Sequence, residues 1–216
     1  LTEYNRILET KSRILKDRFE NPGVEAILPE YNLRLCQVGA LLISYRARFY
    51  EGLGKAAAQY HGHFSGGSEE VLLQYKTVST ITDPFAPVFT LVEQLQSHLE
   101  SHSRAELETA QCLTGPHKDD FSVSLSGMDL KAYGSQGQTR TAAISLKLAQ
   151  RELMAREYGE EPVLLLDDVL SELDPGRQDF VLNQIVSGQV FITCCEPGRF
   201  TKLGKTIEIE KGSVKQ

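Results

Sequence analysis

Several things are missing from this sequence, and each absence narrows what the chain can be. No apolar run approaches the ~20 residues that a membrane-spanning helix requires, and no signal-peptide pattern opens the chain. Membrane insertion and export are therefore not expected. Cysteines are few: Cys36, Cys112 and the neighbours Cys194 and Cys195. Their spacing fits neither a zinc site nor a secreted disulfide framework, so a reducing cytoplasm is the expected compartment. No internal repeat and no low-complexity tract is present. There is also no G-x-x-x-x-G-K-[ST], the loop that cradles phosphates with backbone N–H groups and a lysine. Gly52-Leu53-Gly54-Lys55 is too short for it and falls in a helical stretch. The chain opens with Leu1 rather than methionine, and a piece of a longer protein is expected.

What is present suits a globular protein. The 216 residues are enough for one large domain or two small ones, and 41% of them are hydrophobic. The net charge of −6 argues against uniform attraction to nucleic acid. The first sixty residues nevertheless carry nine Lys/Arg against seven Asp/Glu. Arg13, Lys16, Arg18, Arg34, Arg46 and Arg48 could meet phosphates there, although glutamates interleave with them and helix-surface pairing explains them equally.

Hydrophobic periodicity divides the chain near residue 112. The stretch 1–112 reads as a helical arm of antiparallel helices with a small strand. A helix covers 1–19, Asn21-Pro22-Gly23 breaks it, and a long helix runs over 24–60. Val38, Leu41, Leu42, Tyr45 and Phe49 form one apolar stripe on that long helix. "HGHFSGGSEE" is expected to be a loop carrying His61 and His63, "VLLQYKTV" a strand, and the stretch after Asp83-Pro84 a helix with His98 and His102 on its surface. From 113 to 216, strands alternate with helices: "FSVSLSG", Met128 to Ala132, a helix from Gln138 to Tyr158, Val163 to Leu166, Pro175 to Val186, Gln189 to Thr193 and Thr206 to Glu210. The expected class is α/β with parallel pairing.

Three stretches could do chemistry. In "VLLLDD", four apolar residues fit a strand buried on both faces, and Asp167 and Asp168 stand at its carboxyl end. Ligands bind at such ends in open α/β sheets, and paired carboxylates there suit magnesium and an attacking water. They could equally cap a turn. In "YGSQGQTRT", Ser135 and Gln138 form a capping box at a helix start, which needs no ligand. The cap does not explain Gly134 and Gly137 together, since glycine in a helix's first turn costs up to ~1 kcal/mol. An exposed helix start binds phosphate, and Gly137 would let one approach closely. In "SELDPGRQ", Asp174 and Pro175 make a good helix start by themselves.

Together the three stretches, with "GPHKDD" upstream, resemble the RecF family of bacterial recombination mediators, relatives of the SMC and Rad50 ATPases. That family shows an SQGQ-type signature, a double-aspartate Walker B, an SELD loop and a GPHRDD-like segment; here lysine replaces the arginine. The resemblance implies the C-terminal part of an ABC-type P-loop ATPase head, with signature, Walker B and D-loop on 113–216, joined to a helical arm. It assigns Asp167 to magnesium, through water, and Asp168 to the general base, which is glutamate in most ABC ATPases. It places Ser135, Gln136, Gly137 and Gln138 on the γ-phosphate held by the opposite subunit, and Asp174 at the dimer seam. The usual switch histidine is replaced by Cys195 in "VFITCCEP".

The resemblance further implies an ATP-dependent, weakly hydrolysing homodimer that clamps DNA, double-stranded or gapped, with single-stranded DNA as a further option. It would work with RecR and RecO to load recombinase in the bacterial cytoplasm. Without a phosphate cradle this chain alone is not expected to hydrolyse ATP, and it should expose apolar sheet surface and self-associate. Two alternatives are a head of another SMC or Rad50 type, for which the arm is short, and a non-catalytic interaction module.

Overall fold

The computed structural model describes residues 1–169, 173–184, 187–195 and 204–215. Two helices, α1 (Thr2–Asp17) and α2 (Leu28–Ser65), are joined by a 3-10 turn at Pro22–Ile27. At 38 residues, α2 is ~57 Å long at 1.5 Å per residue. Strand β1 (Val71–Lys76) and helix α3 (Val88–Thr109) complete the first half. The second half runs β2 (Asp120–Leu125), β3 (Met128–Asp129), the single-turn α4 (Leu130–Tyr133), α5 (Gln136–Tyr158), β4 (Leu164–Asp167), α6 (Pro175–Gln184), β5 (Val190–Thr193), β6 (Ile209–Glu210) and β7 (Ser213–Val214).

Helix α2 is the spine, because it is apolar on more than one side. Its Cys36, Ala40 and Ile43 meet Leu91, Leu95 and Leu99 of α3. About three turns later Leu53, Ala56 and Ala57 meet Leu73 of β1 and Ala149 of α5. At its end Phe64 joins Ile144, Leu148, Leu164, Leu166 and Val181. Small residues set the closeness of this packing. A Cβ on Gly39 would sit 3.2 Å from Pro116 and 3.4 Å from Tyr4. The buried face therefore differs in part from the expected stripe: Val38 and Leu42 pack against Tyr4, Ile7 and Leu35, but Leu41, Tyr45 and Phe49 are exposed, while Gly39, Ala40, Ile43 and Ala47 are buried.

The histidines also lie elsewhere than expected. α2 continues to Ser65 and ends on a left-handed Gly66, so His61 and His63 are helical, and His61 is fully buried. His98 is buried against the Thr114 hydroxyl at 2.8 Å. Below α1, Lys11 and Glu106 form a buried ion pair at 2.5 Å. Glu106 also accepts N–H bonds from Leu113 and Thr114, which offsets the cost of burying its charge.

β1 pairs antiparallel with β2 over six register positions, from Val71↔Leu125 to Lys76↔Asp120. Residues from both sides of 112 thus share one sheet. The segment expected as a strand to Ala132 gives only two strand residues before α4, because the Asp129 carboxylate accepts the Ala132 N–H and starts a helical turn. β4 and β5 pair in parallel, from Leu164↔Val190 to Asp167↔Thr193. Only one face of this pair is buried, contrary to the expectation of two. Leu164 and Leu166 pack against α5 and α6, whereas Leu165 is 69% and Phe191 52% exposed. No described element covers that second face. The last expected strand is a short hairpin instead, turned by Lys211 and Gly212, both with positive φ.

Candidate nucleotide-binding site

The GPHKDD segment is built into the core rather than set out as a reactive loop. Gly115 adopts φ +129°, a backbone open to glycine, and a Cβ there would collide with the Tyr4 hydroxyl. Tyr4 hydrogen-bonds His117 Nδ1 at 2.8 Å, and His117 Nε2 lies 3.1 Å from the Cys112 carbonyl. The carbonyl only accepts, so Nε2 carries the proton and Tyr4 donates to Nδ1. Burial holds His117 below the usual histidine range and pushes the Tyr4 phenol well above its own. Asp119 accepts from Arg46 at 2.8 Å and from the Tyr75 hydroxyl. Lys118 and Asp120 remain exposed.

The signature segment starts α5. The Ser135 hydroxyl accepts the Gln138 N–H at 3.2 Å, and the Gln138 side-chain oxygen accepts the Ser135 N–H at 2.9 Å. The capping box read from the sequence is therefore formed. The two glycines beside it differ. A Cβ on Gly134 would sit 2.5 Å from the Leu130 carbonyl and 2.6 Å from its side chain, so tight packing requires that glycine. A Cβ on Gly137 would meet only Arg177, at an ordinary 3.8 Å. Among the described residues, no side-chain contact requires Gly137 to be glycine. Ser135, Gln136 and Gly137 are all exposed, and the first N–H groups of a helix have no intrahelical acceptor. Gln138 is different: its side chain is committed to the cap and, through its NH2, to Glu69 at 2.7 Å.

Asp167 and Asp168 stand at the carboxyl end of β4, as the strand pattern predicts. Thr193, opposite Asp167 in the ladder, ties them together. Its hydroxyl donates to Asp167 Oδ1 at 2.5 Å and accepts the Asp168 N–H at 3.0 Å. Asp168 has φ +52°, a left-handed conformation that aspartate tolerates better than most side chains. A cleft of about 190 Å³ lies here, lined by Asp167, Asp168 and Val169 and by Arg140, Ala143 and Ile144 of α5. The second and third turns of α5 and the acidic pair therefore face one recess, whose lining does not include Ser135, Gln136, Gly137 or Gln138. Asp174 caps α6: it accepts the Arg177 N–H at 3.1 Å and pairs with the Arg177 guanidinium at 3.3 Å. Ser171 and Glu172 of "SELD" and the expected last helical residues 185–186 lie outside the described residues.

Arg140, Thr193, Glu69 and Arg177 were not singled out from the sequence. Thr193 was within reach of it, as the last residue of the neighbouring parallel strand. Glu69 was not, since nothing local marks it. Among the described residues no cluster of three or more His, Cys, Asp or Glu could hold a metal ion. The acidic pair offers only hard oxygen donors, and Asp167 Oδ2 has no protein partner among the described residues. That set suits magnesium bound largely through water.

No protein-family profile matches the chain. Curated sequences do. The chain is 37% identical over 218 residues to the DNA replication and repair protein RecF of Agathobacter rectalis, covering 99% of this chain and 57% of that protein. It is 36% identical over 218 residues to RecF of Clostridioides difficile, again covering 99% of this chain and 58% of the relative. A solved structure of the recombination mediator protein RecF-ATPrS in the RecFOR pathway superimposes with a TM-score of 0.84, at 31% identity over 99% of this chain and 57% of that one. The chain belongs to the RecF family. A second RecF structure, with ATP, gives a TM-score of 0.82 at 32% identity, covering 92% of this chain and 52% of the other. The fold is thus the C-terminal, ABC-type ATPase portion of RecF with its helical arm. The chain spans little more than half the length of these relatives. No helix among the described residues is long and apolar enough to cross a membrane.

Proposed function

We propose that this chain supplies the signature, Walker B and D-loop half of an ATP-binding head that dimerises on ATP and clamps DNA during recombinational gap repair. The observation that carries the reading is the bare start of α5. Ser135 and Gly137 are exposed, and among the described residues a Cβ on Gly137 would meet only Arg177, at an ordinary contact distance. A helix start of this form receives an anion, here the γ-phosphate of ATP held by the opposite subunit.

The chain's own residues then have distinct tasks. The Ser135 hydroxyl and the first N–H groups of α5 bind the phosphate of the opposite subunit. Asp167, oriented by Thr193, holds magnesium through water. Bound there, magnesium would neutralise charge on the phosphates. Asp168 orients the attacking water and accepts its proton. Asp174 stands at the seam between heads. The role of the dimer is to hold DNA for RecO- and RecR-dependent recombinase loading, with hydrolysis as the release step.

The reading is tested in the longer protein that carries the phosphate-binding lobe. ATP-dependent dimerisation, followed by light scattering, should be lost in Ser135→Arg while each head still binds ATP. Normal dimerisation of that variant would remove the signature assignment.

A further inference from the structure

Glu69 occupies an unusual position. It lies just before β1, in sequence far from every motif, yet three elements converge on it. His61 Nε2, on the last turns of α2, lies 2.9 Å from Glu69 Oε2. The Gln138 NH2, on the first turn of α5, lies 2.7 Å from Glu69 Oε1. Arg177, on the first turn of α6, adds a favourable charge interaction. Hydrogen bonds from Gln138 and His61 hold the Glu69 carboxyl below its usual range, so it is ionised and accepts only. That fixes the orientation of both neighbours. His61 presents N–H at Nε2, and Gln138 presents NH2 to Glu69 while its oxygen faces the Ser135 N–H. His61 is fully buried, so this end of the chain of bonds cannot swing out to water.

We propose that Glu69 is a positioning residue for the signature turn. It couples the end of the long arm helix to the phosphate-facing start of α5. A capping box alone leaves the glutamine free to leave the cap, since water competes for both of its bonds. Glu69 removes that freedom by holding the NH2 end of the same amide. The path from arm to signature is then His61, Glu69, Gln138, Ser135, a continuous series of hydrogen bonds in which His61 donates to Glu69 from one side and Gln138 from the other, while Ser135 donates to Gln138. A displacement of the last turn of α2 would reach Ser135 through it, and Arg177 would carry the same influence toward the D-loop. The functional half of this proposal rests on the signature reading given above; the positioning half does not.

The test separates the two. In the isolated chain, the Gln138 side-chain amide is followed by 15N heteronuclear NOE. It should be as rigid as the backbone in the wild type and mobile in Glu69→Ala. The exchange Glu69→Gln with Gln138→Glu reverses donor and acceptor, keeps all four groups satisfied, and should restore rigidity, now read on the residue-69 amide. Gln138→Glu alone should fail, because it sets two carboxylates together. In the longer protein, Glu69→Ala should weaken ATP-dependent dimerisation at least about tenfold without altering ATP binding to the monomer, and the exchanged pair should recover it. An unchanged Gln138 amide in Glu69→Ala, or no recovery in the pair, overturns the proposal. Intact dimerisation in Glu69→Ala where Ser135→Arg abolishes it overturns the coupling. Intact dimerisation in both, with a mobile Gln138, removes the signature reading and supports Glu69 as the residue that orders the turn.

Discussion

Replacing Gly137 with alanine should make this chain more stable and the protein it serves less competent. Gly137 has no positive φ, and an added Cβ meets only Arg177 at 3.8 Å. The substitution therefore meets no steric conflict among the described residues. It removes backbone freedom from the unfolded state and improves helix propensity, together a gain of about 0.4–1 kcal/mol. For a domain of this size that raises the melting temperature by roughly 1–4 °C. Calorimetry on the isolated chain measures it directly. In the proposed mode, the same methyl group would stand where a phosphate oxygen approaches the first N–H groups of α5. In the longer protein, ATP-dependent dimerisation should weaken by about tenfold or more, equivalent to ~1.4 kcal/mol. Gly134→Ala supplies the contrast, since its methyl group would press into Leu130 and destabilise the chain outright. If Gly137→Ala destabilised the chain, the glycine would be structural after all. If it dimerised with unchanged affinity, the space over the helix start would not be a phosphate seat.

Gly115→Ala should destabilise the chain by about 3 kcal/mol or more in urea titration, through its backbone strain and the collision with Tyr4. Adding Tyr4→Phe should recover part of that loss. Burial depresses the pKa of both His98 and His117, so the unfolded chain binds protons more readily than the folded one. Stability should be at its full value above the unfolded histidine pKa, about 6.5, and fall as the pH drops through the lower folded values; a melting temperature that rose on acidification below pH 6 would refute this. Leu165 and Phe191 lie opposite each other on the open sheet face. The isolated chain should self-associate through it, and Leu165→Glu with Phe191→Lys should give a monodisperse monomer by light scattering. Magnesium-dependent ATP turnover by the isolated chain should be negligible; turnover that vanished in Asp168→Asn would show that the acidic pair works without a phosphate cradle.

The parts of the site that are local in sequence could be read from it. Ser135 and Gln138 announce a cap because both halves lie within four residues. Asp167 and Asp168 announce a strand end because an apolar run stops there. The parts that depend on tertiary contact could not. Glu69 meets Gln138 across 69 residues, and only folding reveals that the glutamine is held at both ends. The face of α2 was misread for a related reason. A helix that is apolar on several sides offers more than one stripe, and the neighbours choose among them. Here they chose Gly39, Ala40 and Ala47, since small residues let α2 approach its neighbours closely. The burial of β4 was overestimated because an unbroken apolar run says that a strand wants cover on both sides, not that cover is present.

The ladder between β1 and β2 has a practical outcome. One rail comes from each half of the polypeptide, and α2 lies across both. A chain severed near residue 112 would leave two pieces, each with an unsatisfied strand edge and half of a helix bed. Such pieces should find one another when co-expressed, so the arm behaves as a clasp sewn into the ATPase rather than a separable handle.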